Sequence, residues 1–244
     1  MINNLPFYLS LLFGLTTIAT LQLFVLAVKN SSNEQIRTFE KPIYIGFIIW
    51  LAIQALLSIS TVYSADLHSF PPKLMLFGVF PTIIAIIVLF ATSAGRNFID
   101  GLSLKHLTFI HSVRIPVEIV LFMLFVNKVV PEIMTFEGRN YDIIAGITAP
   151  IVAYFGIVKS KFPRTIIIFW NVICLGLLLN IVITAIFSTP SPMQKFGFEQ
   201  PNIAIFYFPY SWLPTYIVPI VLFAHLASLR QLFINKTNKP NEQL

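Results

Sequence analysis

The sequence predicts an all-α, polytopic membrane protein with seven transmembrane helices. Hydrophobic residues make up 57% of the 244 residues and charged residues 11%, whereas about a quarter of an ordinary soluble domain is charged. The mean hydropathy of +0.82 comes from long, continuous apolar runs rather than from alternating apolar and polar residues. Continuous runs of this kind favour helices over the strands of a membrane barrel.

Apolar runs long enough to cross the hydrocarbon layer, about 20 residues each, define the spans. The first run lacks the basic segment and the short apolar core of a signal peptide, so it is interpreted as a retained span. Pro81, Pro116, Pro150 and Pro219 are expected to bend the helices that contain them. The predicted spans are residues about 6–28, 43–63, 74–93, 107–130, 143–159, 165–188 and 212–233, followed by a short polar tail at 234–244.

The distribution of Lys and Arg predicts the orientation of the chain. Of the 16 basic residues, eleven fall in one set of connections and the tail, four fall on the opposite side, and Arg114 remains within a span. Cytoplasmic segments carry the excess of basic residues, so the N-terminus is predicted outside the cell and the C-terminus in the cytoplasm. The membrane is predicted to be the inner (plasma) membrane of the cell. The net charge of +6 then reflects topology and contact with anionic lipid headgroups, and no nucleic-acid partner is predicted.

Two proline-rich segments suggest an internal repeat. FPPKLMLFGVFP at 70–81 and FPYSWLPTYIVP at 208–219 both begin with Phe-Pro and place another proline ten residues after the first. They introduce spans three and seven, which run in the same direction. Spans one to three and five to seven would then form a 3+1+3 parallel repeat, an arrangement known among transporters.

Span four carries three ionisable residues in an otherwise apolar helix. His111, Arg114 and Glu118 are separated by three, four and seven residues, so they share one helix face. The helical rise places His111 about 6 Å and Glu118 about 16 Å from the cytoplasmic end of the span. Because a charge at such depth costs about 2.5–3.5 kcal/mol or more, the face is expected to point into the bundle, with Arg114 and Glu118 paired.

Polar residues at similar depths in other spans are the predicted neighbours of this face. Gln54 in span two shares the level of Glu118, and the others lie in the cytoplasmic half. Together they predict either a buried hydrogen-bonded network or a cavity open to the cytoplasm. The neighbours in the cytoplasmic half are Gln22, Tyr154, Asn171 and His225.

These residues favour a carrier or binding protein for a small polar or anionic solute. Arg114 would hold the anionic or polar group, Glu118 would balance that charge or relay a proton, and His111 and His225 would line the pocket. One alternative is a membrane redox protein with His111 and His225 as ligands of haem b or a metal; the other is a non-catalytic assembly subunit whose polar network only fixes helix packing. The sequence has neither a GxSxG motif nor a glycine-rich phosphate loop, so no enzyme activity is predicted.

Two connections on the outer side have distinct compositions. The segment 189–212 is rich in aromatic residues and is expected to lie at the membrane interface, as a belt or as a lid. The segment PEIMTFEGRNYD at 131–142 is expected to be a solvated charged loop, with the binding of a cation or polar substrate as the alternative. Its charged residues are Glu132, Glu137, Arg139 and Asp142.

Overall fold

The computed structural model describes residues 5–67, 69 and 71–237, and these residues form helices without any strand. Phe70 and residues 238–244 of the predicted tail lie outside this set, while the backbone of the last helix continues beyond residue 234. The helices are α1 (Phe7–Lys29), α2 (Glu34–Arg37), α3 (Glu40–Ile59), α4 (Phe80–Ala91), α5 (Ser93–Gly101), α6 (Leu104–Ile110), α7 (Arg114–Val126), α8 (Asp142–Ile151), α9 (Arg164–Phe187) and α10 (Val218–Thr237).

Several of these helices are long and apolar enough to cross a membrane. Five meet that criterion, and there are six if a bent pair counts as one span. The bent pair is Met75–Ala91 with Ser93–Gly101, whose axes turn by 92°, and the shorter apolar helix Asp142–Val158 stands where the fifth span is predicted. Residues 60–63 and 127–130, predicted as helix ends, form turns instead.

The helix with the ionisable face lies at the centre of the bundle. α6 and α7 are joined by a single 3₁₀ turn, His111–Val113, and pack against α1, α8 and α10. By contrast, α3 buries few residues and α4 buries none among the described residues. The peripheral helices therefore present apolar side chains outward, as expected where lipid is the surrounding solvent.

The two ends of the bundle differ in their connections. The long-loop end carries the connections 60–74, 127–141 and 188–212, and the basic end carries 30–33, 102–103 and 159–163. At the basic end Arg230 of α10 donates two hydrogen bonds of 2.8 Å to the Asp100 carboxylate of α5. Gln231 also donates to the carbonyl oxygens of Ile99 and Leu102, at 2.6 and 2.9 Å. These contacts close the basic end around α5.

Each predicted helix bend coincides with a local change of helix type. π-helical turns at Met75–Val79 and Leu213–Ile217 precede Pro81 and Pro219, a 3₁₀ turn precedes Pro116, and the π-helical turn Val152–Val158 follows Pro150. Proline removes one backbone donor and its ring clashes with the carbonyl four residues before it. A wider or tighter turn relieves that clash, which is why such turns accompany kinks.

Helix α3 supplies donors to the carbonyls that two of these prolines leave without a partner. The Gln54 side-chain amide donates to the Phe77 oxygen at 3.2 Å, and the Trp50 indole donates to the Thr215 oxygen at 3.0 Å. Phe77 and Thr215 each lie four residues before their proline, Pro81 and Pro219. Because Trp50 and Gln54 are four residues apart, one face of α3 serves both broken helices.

We predict that Gln54→Leu destabilises the protein by about 1–2 kcal/mol, because it leaves the Phe77 carbonyl and the Tyr63 hydroxyl without a partner. The matched control is Ser60→Ala at the C-terminal end of the same helix, whose hydroxyl is exposed and bonds only to its own helix; it should change stability by less than about 0.5 kcal/mol. Equilibrium unfolding in detergent measures both. Equal stability of the two variants would contradict the role given to Gln54.

Candidate functional site

The Arg114 guanidinium is buried at the centre of the bundle and forms an ion pair with Asp142. Its Nε lies 3.3 Å from Asp142 Oδ2, and both side chains are almost fully buried. Nη1 and Nη2 each donate to the Cys174 carbonyl oxygen of α9 at 3.3 Å. The predicted partner of Arg114 was Glu118, one helical turn further along the chain. The pairing in the structure comes instead from the first residue of α8.

Glu118 is held by an asparagine of the long-loop end. Asn140 Nδ2 lies 2.6 and 2.7 Å from the two Glu118 carboxylate oxygens and 3.0 Å from the Met134 carbonyl oxygen. Asn140 Oδ1 accepts from the Asp142 backbone N–H at 3.1 Å, which fixes the start of α8. One amide thus positions both carboxylates, Glu118 through a side-chain bond and Asp142 through the backbone.

A glycine allows α8 to approach the arginine closely. Gly146 lies one turn after Asp142, and a Cβ at this position would lie 2.8 Å from Ile115 Cγ1 and 3.0 Å from the Ile115 backbone nitrogen. Both distances are shorter than ordinary Cβ contacts, and the backbone of Ile115 cannot turn aside as a flexible side chain could, so a larger residue would push α8 away from α7. The spacing of four residues places Gly146 and Asp142 on the same face of α8. Close packing at Gly146 therefore brings Asp142 within reach of Arg114.

A cavity of about 140 Å³ lies beside the two carboxylates. Glu118 and Asp142 are the only charged residues in its lining among the described residues, and Arg114 is not part of that lining. The remaining wall is mainly apolar. It includes Val117 and Leu178, together with Met75, Val79 and Leu213. The last three belong to the π-helical turns before Pro81 and Pro219, which we call the paired π-helical turns.

The cavity extends toward the long-loop end of the bundle. Leu67, Ser191 and Ile205, which belong to connections at that end, complete its lining. The sequence suggested a site in the cytoplasmic half, open to the basic side. The cavity that borders Glu118 and Asp142 instead extends toward the long-loop end, because the π-helical turns and the long connections form its wall.

The two histidines meet as the sequence predicts, but they stack on each other. The His111 and His225 ring centroids are 3.7 Å apart with a 20° angle between the planes, and the Trp170 ring lies 5.6 and 5.9 Å from them. His225 Nδ1 and Asn171 Oδ1 are 3.0 Å apart. Bis-histidine haem requires an iron and a macrocycle between the two rings. Rings in face-to-face contact do not fit that arrangement.

The structure places the other predicted neighbours away from Arg114. Gln22 is exposed on α1, and Tyr154 is 46% exposed, with Lys159 Nζ lying 5.6 Å from its ring centroid. Gln54 is fully buried but bonds to Phe77 and accepts from the Tyr63 hydroxyl at 2.5 Å. Burial raises the pKa of Tyr63 to about 12, so this phenol remains a neutral donor.

The charged loop at 131–142 separates into exposed and buried residues. Glu132, Glu137 and Arg139 are exposed, in agreement with a solvated loop, but Asp142 is 4% exposed and belongs to the site. The expectation that Asp142 lies in solvent is therefore wrong. Asn140 was not identified from the sequence, although asparagine commonly accepts from the backbone N–H two residues further on, in an Asx turn.

The fold and the site define a class of helical proteins with several helices that are long and apolar enough to cross a membrane and with a buried ionisable centre. Residues 71–233 match the family described as Domain of unknown function (DUF8737). The match covers 163 of 244 residues, so the chain belongs to this family. The matched segment contains both paired π-helical turns and the three charged residues of the site, Arg114, Glu118 and Asp142. No curated protein and no solved structure matches the chain.

We predict that Gly146→Ala destabilises the protein by about 1–3 kcal/mol, the usual cost of an extra methyl group in a packed contact. Gly176→Ala on α9 is the matched control, since a Cβ there meets nothing within 4 Å, and it should be neutral or stabilising by up to about 1 kcal/mol. Thermal unfolding in detergent tests the pair of variants. Similar behaviour of the two alanines would mean that Gly146 does not set the distance between Asp142 and Arg114.

Proposed function

We propose that this chain is an integral membrane protein that binds and carries a small solute in the cavity beside Glu118 and Asp142. The observation that carries the proposal is the juxtaposition of a cavity of about 140 Å³ with two buried carboxylates. A mainly apolar cavity with a few convergent polar groups is the usual form of a small-molecule site. Ionisable groups within membrane helices are costly and commonly mark solute or ion pathways.

The paired π-helical turns support a role in movement of the cavity wall. Both turns contribute lining residues, and they contact each other where Gly78 packs against Thr215. A Cβ at Gly78 would collide with the Thr215 side chain, so the two broken helices approach closely only with glycine there. π-helical turns within α-helices are frequent at functional sites. We place the moving part of the carrier at these two turns.

The proposed topology has seven spans in the inner (plasma) membrane of the cell, with the N-terminus outside and the basic end in the cytoplasm. The bent pair α4–α5 and the shorter helix Asp142–Val158 would complete the five longer spans. The arrangement of basic residues supports the orientation. The cavity would then face the outside, while Arg230, Asp100 and Gln231 close the cytoplasmic end.

The proposed 3+1+3 repeat gains support from the position of the π-helical turns. Each turn occupies the sixth to tenth residues of its proline-rich segment, Met75–Val79 in 70–81 and Leu213–Ile217 in 208–219. In each segment the eighth residue offers its carbonyl to a side chain of α3. Two equivalent broken helices that face one cavity are typical of transporters built from repeats.

A packing role alone is the competing explanation of the buried charges. An ion pair between helices holds them together, yet hydrophobic residues of similar volume generally do so equally well or better. Asp142 of this pair also lines a cavity, which a purely structural lock does not require. The site therefore favours solute binding over an assembly subunit.

Accessibility of the cavity to a neutral reagent tests the proposed function. In a Cys174→Ala background, which removes the single cysteine of the chain, Ile181→Cys introduces a thiol into the cavity lining. We expect N-ethylmaleimide to modify this thiol in the folded protein in intact cells. Ile167→Cys is the control, because Ile167 is equally buried on α9 but lies outside the lining, and it should remain unmodified. Absence of modification at both positions would contradict a cavity that is accessible to a small solute.

A further inference from the structure

The ionisable groups on the cavity wall are acids. Glu118 and Asp142 face the cavity, whereas the Arg114 guanidinium lies behind them and directs Nη1 and Nη2 toward the Cys174 carbonyl oxygen. A solute in the cavity therefore meets carboxylate oxygens rather than the guanidinium. This arrangement is the reverse of the predicted one, in which Arg114 holds an anionic group.

The buried carboxylates outnumber the cation that accompanies them. Two carboxylates share one guanidinium, so the fully ionised cluster carries one negative charge in excess within an apolar bundle. An uncompensated buried charge costs several kcal/mol, and an added cation removes that cost. No Lys, Arg or His other than Arg114 forms an ion pair with either acid among the described residues.

One carboxylate oxygen is available to such a cation. Asp142 Oδ2 faces Arg114, while Asp142 Oδ1 is buried and has no hydrogen-bond partner among the described residues. Asp142 is 4% exposed and belongs to the cavity lining. The Asn140 amide, with two hydrogens, lies within bonding distance of three oxygens, so it does not saturate Glu118. Both acids thus retain acceptor capacity beside the cavity that they line.

The rest of the cavity wall favours a solute with an apolar body. Val117, Leu178, Ile181 and Leu213 surround the space next to the acids. The cavity volume of about 140 Å³ is close to that of an engineered protein cavity of about 150 Å³ which accommodates benzene. An inorganic cation would leave most of this volume unfilled, whereas a ring or short branched chain would fill it.

We propose that the cavity binds a small organic amine as its ammonium ion, with the charged group against Asp142 and Glu118 and an apolar body of about six carbon atoms between α7, α9 and the π-helical turns. This inference rests on the proposed function and names the class of solute. The ammonium supplies the missing positive charge and donates to Asp142 Oδ1. The aliphatic wall excludes water from the ion pair, which strengthens it.

Three ligands of matched shape test the charge of the solute. Benzylamine, benzyl alcohol and benzoate differ mainly in bearing a positive, neutral or negative group at pH 7. Binding to the detergent-purified full chain is measured by isothermal titration calorimetry at constant ionic strength. We expect benzylamine to bind at least about tenfold more tightly than either of the other two. Equal or tighter binding of benzyl alcohol or benzoate would overturn the inference, and so would failure of all three to bind.

Charge-neutral variants locate the binding site. Asp142→Asn and Glu118→Gln, which keep the side-chain shapes, should each weaken benzylamine binding at least about tenfold. Glu34→Gln is the control, because Glu34 is an exposed acid on α2 at the opposite end of the bundle, and it should leave the affinity unchanged. Glu118→Gln keeps an acceptor for Asn140, so it provides the test if Asp142→Asn fails to fold. Unchanged affinity in the folded variants would place the amine elsewhere.

The neutral labelling experiment separates the two levels of the proposal. If Ile181→Cys reacts with N-ethylmaleimide while benzylamine shows no preference, the cavity remains a solute site and only the ammonium class is wrong. If the introduced thiol does not react and no ligand binds, the proposed function fails as well. If titration with sodium chloride gave the same binding heat as titration with benzylamine, the charge preference would be an effect of ionic strength, and the inference would be overturned.

Discussion

The burial of one guanidinium with two carboxylates is the constraint on which the rest of the structure depends. Charged groups in an apolar bundle persist only where other protein groups or trapped solvent compensate them. Here Arg114 lies between Asp142 and the Cys174 carbonyl, and Asn140 joins Glu118 to the start of α8. The central helix, the long-loop end and α9 are therefore fixed relative to one another by a single polar cluster.

Interrupted helices create the space beside this cluster. A straight helix through each proline-rich segment would pack along its full length. The π-helical turns before Pro81 and Pro219 instead widen the backbone where the cavity lies. The carbonyls that this interruption exposes would be costly in lipid. Trp50 and Gln54 satisfy them from the neighbouring helix. The two interrupted helices, the side-chain donors of α3 and the cavity thus form one structural unit.

The direction of the ionisable face could be predicted from the sequence because its physical basis is local. Offsets of three, four and seven fix one helix face, and the cost of charge in hydrocarbon determines which way it turns. His111, Arg114 and Glu118 are accordingly buried together. The contact between His111 and His225 could also be anticipated, since residues at equal depth on helices that both face inward are brought close together.

The partners of Arg114 and the site's opening could not be predicted in the same way. Depth along a span gives the height of a side chain but not its direction around the helix axis, so Gln22 and Tyr154 share the level of the site while facing outward. The pairing of Arg114 with Asp142 spans a loop, and it depends on a glycine contact between two helices that no local rule reveals. Arg114 pairs with Asp142 because α8 begins at Asp142 and buries its carboxylate, where the sequence predicts a solvated loop.

A density map of the full chain in lipid nanodiscs, at a resolution that shows side chains, tests the central claim most directly. The map should show the Arg114 guanidinium inside the bundle beside Asp142, with Glu118 next to Asn140 and the cavity adjoining both carboxylates. A map in which Arg114 or Glu118 turns toward the acyl chains, or in which α8 lies too far from α7 for the ion pair to form, would contradict it.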